Sequence, residues 1–122
     1  MGLYNFQPRF VDPILSGTKR HTIRKHRRYP DRIGSTLHLY TGLRHPGARL
    51  LARVQCTAVC SISIATDGEV EIDRCPLTEV GREELARRDG FSGWPDMYQF
   101  WLRTHQLPFD GQIIFWASKG GA

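Results

Sequence analysis

At 122 residues, with 40% apolar and 24% charged side chains, the chain is sized for a single domain around one core, and wholesale disorder is excluded. Seventeen Lys and Arg against twelve Asp and Glu leave a net charge of +5, which favours a polyanionic partner, RNA or DNA first. No apolar run is long enough to cross a bilayer, the opening MGLYNFQPRF lacks a signal peptide's apolar stretch, and three cysteines without framework spacing point to a reducing, cytoplasmic setting.

In chain order, RFVDPILSG reads as a short helix or turn, with Pro13 tolerated in its first turn. RHTIRK is a short β candidate, because Thr22 and Ile23 are β-branched. STLHLYTG alternates, with Leu37 and Leu39 on one face and Thr36, His38 and Tyr40 on the other. GLRHPGARL reads as a long surface loop. From Leu50 to Ile64 every even position is apolar, which predicts a long strand, bent or straight, with one face on the core. TDGE then reads as a turn and VEID as the returning strand of a hairpin. LTEVGREELARRDG predicts a helix capped by Thr78 and stopped by Gly90. WPDMYQFWLRTHQ predicts a second, with Pro95 at its start and Met97, Phe100 and Trp101 at helical spacing. PFDGQIIFWAS opens with a turn and closes as a buried strand. Together these predict a small α+β domain spanning 1–122: a compact, partly closed β-barrel with two or three short helices.

Charge is unevenly placed. Nine of the twelve acids lie between Asp67 and Asp96, while seven of the seventeen Lys and Arg lie within residues 16–34, SGTKRHTIRKHRRYPDRIG. Basic runs are commonly just solvated, but this one straddles a β-like segment and leads into an ordered strand, which favours contact with a polyanion. Tyr29 and Tyr40 are candidate stacking platforms. A P-loop is excluded because SGTK lacks the motif's earlier glycine. A zinc site is disfavoured because Cys56 and Cys60 share the apolar parity of the long strand and sit ~13 Å apart along it. Neither a metal nor a cofactor is expected. A chemical reading also exists: an amine among cations has a depressed pKa, so Lys19 can accept the Thr22 hydroxyl proton if Lys19 lies on the Gly17 turn.

The run ILSGTKRHTIRKHRRYPDRIGSTLHLYTG resembles the opening of ASCH domains, small PUA-like β-barrels related to RNA-binding modules. The shared positions are Ile14, Ser16–Gly17, Lys19, Thr22–Ile23–Arg24 and Gly34. ELARRDGFSGWPDMYQFW and FDGQIIFW resemble later segments of that family, so the likeness covers nearly the whole chain. It implies an RNA- or nucleoside-binding protein with a basic cleft. One branch of the family consists of amidohydrolases acting on N4-acetylcytidine through a lysine, a threonine and a glutamate, and others are ribonucleases. Lys19 and Thr22 match the first two catalytic positions. Asp89 is the match for the third, shorter by one methylene, about 1.5 Å, where roughly 1 Å can cost 10²-fold. On this likeness Thr22 attacks the acyl carbon, Lys19 takes its proton and Asp89 protonates the leaving amine or positions water. Arg24 holds the substrate, with Arg20, His21 and Tyr40 lining the same cleft. Lys25, Arg27, Arg28 and Arg32 attract nucleic acid. A ribonuclease would instead use Lys19 and Arg24 to stabilise phosphate charge, and a protein-interaction module would use the acidic 67–96 region.

Overall fold

The computed structural model describes residues 2–117. Among the described residues, seven strands form one mixed sheet and three α-helices pack with it. In chain order these are β1 (Gly2–Phe6), α1 (Val11–Ser16), β2 (His21–Arg24), β3 (Thr36–Thr41), β4 (Arg49–Ile64), β5 (Val70–Ile72), β6 (Cys75–Pro76), α2 (Glu79–Arg88), α3 (Trp94–Thr104) and β7 (Phe109–Trp116). A 3₁₀ turn at Pro8–Phe10 leads into α1.

β4 organises the sheet. Its first half pairs antiparallel with β3, and its second half pairs with β7 and, at the end, with β5. Two bulges separate these roles. Leu39 faces Ala52 while Tyr40 faces Leu50, which leaves Leu51 as an extra residue. Thr57 is skipped in the pairing with β7. An extra residue bends a strand and shifts its parity. The even-residue alternation is therefore interrupted: Leu51 is buried beside Ala52, whereas Leu50, Ala58 and Cys60 are only half-buried.

The core is formed by the inward residues of this bent sheet, with Leu37, Leu39, Ile64, Val70 and Ile113 fully buried. Met97 and Trp101, four apart on one face of α3, close over it. The Thr78 side chain accepts from Gly81 N at 3.0 Å and starts α2. The helix ends in a Schellman motif: Phe91 N bonds to Ala86 O at 2.9 Å and Gly90 N to Arg87 O at 3.2 Å, with Gly90 at φ 101°. The Glu83 carboxylate accepts from Trp94 N at 2.8 Å, tying the start of α3 to α2.

One expectation needs correction. The sheet is not closed into a barrel: among the described residues β1 pairs only with β3, in parallel, and β2 only with β7. Side chains bridge that seam instead, as Arg24 Nη2 donates to Asn5 O at 2.8 Å and Arg27 Nη2 to Leu3 O at 2.9 Å. The opening segment is a strand, with Tyr4 and Phe6 buried. The segment after Gly42 is an exposed loop, and among the described residues a longer connection, 25–35, lies inside the basic run. β6 extends the β5 hairpin through a turn at Asp73–Arg74. Ser118 of the closing run lies outside the described residues.

Candidate functional site: a cavity at the open seam

Gly17, at φ 83°, ends α1 and turns the chain. Lys19 N then bonds to Pro13 O at 2.9 Å, which places Lys19 between helix and strand rather than on β2. The straight-strand geometry that would set Lys19 and Thr22 on opposite faces is avoided. Both line a cavity of about 160 Å³ at the seam between β1 and β2, together with Arg24 from β2 and Asp89 from the end of α2. Phe10, Phe91, Phe100 and Trp101 supply apolar walls.

Lys19 is 3% exposed and Asp89 6%. Lys19 Nζ donates to the Asp89 main-chain oxygen at 2.8 Å and forms an ion pair with its carboxylate. It also lies 4.9 Å from the Phe10 ring centroid, within cation–π range. Burial pushes the Lys19 ammonium below its ordinary value, opposed by the Asp89 charge. Burial pushes the Asp89 carboxyl upward, but the Lys19 charge and His21 outweigh it and hold the group below its ordinary value. The stronger direction is that of Asp89: a carboxylate paired with a buried ammonium stays ionised. An ionised carboxylate is not a proton donor but can position water, the second of the two roles the likeness implies for Asp89.

Thr22, 4% exposed, accepts from Arg24 Nε at 3.0 Å. Lys19 directs its hydrogen bonds to Asp89 rather than to Thr22. Arg24 lies with its Cζ 4.9 Å from the Phe6 centroid and 5.3 Å from that of Tyr4, and burial followed by repulsion from Arg27 lowers it to about 10.

His21 does not line this cavity. Its Nε2 is buried 3.1 Å from Asp89 Oδ1, the oxygen that also pairs with Lys19. Arg20 and His21 border a separate surface cavity with Arg88 and Phe115. Tyr40 is half-buried on β3, outside the cavity. Of the basic run, Arg27 lies over Tyr4, Cζ 4.0 Å from the ring centroid. Lys25, Arg28 and Arg32 are exposed, and Arg28 sits 5.5 Å from the ring of Tyr29, which is 81% exposed. The acids between 67 and 96 do not form a bare patch: Glu69 pairs with Arg82, Glu83 with Arg87, Glu84 with Arg88 and Asp96 with Arg9.

Sequence reasoning missed the cavity's aromatic walls, Asn5 and Gln7 beside β1, and His105 after α3. Cys56 is buried in the core, Cys60 half-buried and Cys75 exposed. Among the described residues no three His, Cys, Asp or Glu side chains cluster as metal ligands, and no helix is long and apolar enough to cross a membrane. Comparison with known protein families, with curated proteins and with solved structures gives no match to this chain.

Proposed function

We propose that the chain is an ASCH-type, PUA-like domain that binds a nucleoside, or a nucleobase presented by RNA, in the cavity at the β1–β2 seam. One observation carries the reading: Lys19, Thr22, Arg24 and Asp89, drawn from three separate segments, share one small cavity with aromatic walls. A few convergent polar groups in an apolar pocket are what a planar, polar-edged ligand requires. The cavity's size suits one heterocycle, and the exposed Lys25, Arg28 and Arg32 outside it would meet the phosphates of a longer chain.

The buried lysine favours amide hydrolysis of an N4-acylated base as a second reading. In that reaction the Lys19 ammonium, made more acidic by burial, first gives a proton to solvent; the Thr22 oxygen then attacks the acyl carbon and its proton passes to the Lys19 amine. Asp89 stabilises the ammonium so formed. Lys19 then returns the proton to the departing amine as the C–N bond breaks, and water releases the acyl group from Thr22. Asp89 thus serves Lys19 instead of the leaving group.

The test is a binding titration with cytidine and N4-acetylcytidine, followed by chromatography for deacetylation. Saturable binding that Arg24→Ala weakens supports the first reading, and turnover abolished by Thr22→Ala in a folded protein supports the second. A protein that neither binds nor converts either nucleoside overturns both.

A further inference from the structure

Thr104 turns its hydroxyl back along α3 and donates to Phe100 O at 2.7 Å, the i−4 pattern of a helical threonine. That commits its only proton. Toward His105 Nδ1, 2.8 Å away, the same oxygen acts as an acceptor. Nδ1 therefore carries the imidazole proton, and Nε2 of the neutral ring holds a free lone pair. The ring is fixed against Trp101, with centroids 4.1 Å apart, and both residues line the seam cavity.

His105 also borders the open groove outside, with Lys25, Arg103 and Asp110, so it stands at the mouth. The charged groups around it are Lys19, Arg24 and Asp89 inside and those three outside. Burial, then the positive charges of Lys25 and Arg24, push its imidazole below the ordinary histidine range, which keeps Nε2 unprotonated at neutral pH. The cavity's other acceptors are largely engaged. Asp89 is paired with Lys19, Thr22 Oγ1 accepts from Arg24, and Asn5 Oδ1 accepts from Leu43 N at 3.0 Å. Among the described residues the Gln7 amide and Asp89 Oδ2 carry no such hydrogen bond.

We propose that His105 Nε2 is the acceptor by which the cavity recognises its ligand, selecting a base with an exocyclic N–H donor over one with a carbonyl in that place. The inference rests on the nucleoside reading and assigns a specificity-determining residue to it. Cytosine offers an amine where uracil offers an oxygen, and two facing acceptors repel. Protonation of His105 turns Nε2 into a donor and inverts the preference.

The test uses the whole chain, titrated with cytidine and with uridine while following intrinsic tryptophan fluorescence, since Trp101 lines the cavity. At about pH 7.5 cytidine should bind about tenfold or more tightly, and the ratio should fall and then invert as the pH drops through the lowered imidazole value. His105→Ala should erase both the preference and its pH dependence. Thr104→Val, which leaves the cavity lining intact, should reduce the preference several-fold by freeing the tautomer. Imidazole ¹⁵N NMR gives a readout independent of any ligand and should show Nδ1 protonated. A ring protonated on Nε2, or equal binding of the two nucleosides unchanged by His105→Ala, overturns the inference while leaving the nucleoside reading intact. No saturable response to either nucleoside overturns both together.

Discussion

Lys19 and Asp89 are seventy positions apart and almost wholly buried, and Lys19 Nζ bonds to Asp89 twice: at the carboxylate and, at 2.8 Å, at its main-chain oxygen. That second bond is possible because Asp89 caps the C-terminus of α2, where a helix leaves its carbonyls unsatisfied. The ammonium thus answers both the aspartate charge and the negative helix end. A single contact joins the turn after α1 to the end of α2 and sets the floor of the cavity.

Breaking this pair from one side should be costly. Asp89→Ala and Lys19→Ala are each expected to lower stability by about 3–5 kcal/mol in urea unfolding, because each leaves a buried charge alone. The double variant Lys19→Met/Asp89→Leu should be near neutral by comparison, or more stable by up to about 4 kcal/mol, yet bind no nucleoside. Additive single losses in the double variant would show that the two groups do not interact.

Asp89 also predicts the acid limb of stability. Its carboxyl is held below the ordinary value in the folded chain, so the unfolded state binds more protons in the window between the depressed and ordinary values. Its contribution is therefore complete above the ordinary aspartate range and is lost as pH falls through the depressed value. Lys19 acts in the alkaline range: its folded pKa is lowered, so stability should rise with pH between that value and the ordinary lysine range. Thermal melts across pH should show both slopes, and the Lys19→Met/Asp89→Leu variant should flatten both.

Gly111 on β7 is a mechanical control on the site. A Cβ there would stand 2.3 Å from the main-chain oxygen of Arg24, and backbone cannot yield as a flexible side chain does. Gly111→Ala should force β2 from β7, costing about 1–3 kcal/mol. Amide chemical shifts of Thr22 and Arg24 should move with it, and unchanged shifts would contradict the close approach.

The basic run should divide into two kinds of arginine. Arg27 is bonded to Leu3 O and packed on Tyr4, so Arg27→Ala should lower the melting temperature. Arg28 and Arg32 are exposed, and their replacement should leave the melt unchanged. If RNA is the partner, losing Arg28 and Arg32 should shallow the salt dependence of binding by roughly one unit of slope per phosphate contact. Equal melts for all three variants would remove the distinction.

Much of the architecture was legible because it is local. Alternation announced β3 and most of β4, Thr78 and Gly90 bounded α2, and the Gly17 turn anticipated a Lys19 that leaves the strand. β1 was missed because five residues with two polar or small positions resemble a loop until a neighbour pairs with them. The bulges at Leu51 and Thr57 are invisible in a run of apolar residues, since the parity they shift is defined only against the partner strands. The barrel expectation failed for a related reason: whether two edges meet depends on what stands between them, here the side chains of Arg24 and Arg27.

By itself, the sequence determined the α+β composition, most element boundaries and the residue types that crowd around Lys19 and Thr22, because those follow from nearest neighbours along the chain. Tertiary structure decided which of them meet. It brought Asp89 to Lys19, turned His21 behind the site and moved Tyr40 away from it, and it seated His105 at the mouth. Contacts between residues tens of positions apart arise from packing a bent sheet against helix ends, and no local pattern encodes that geometry.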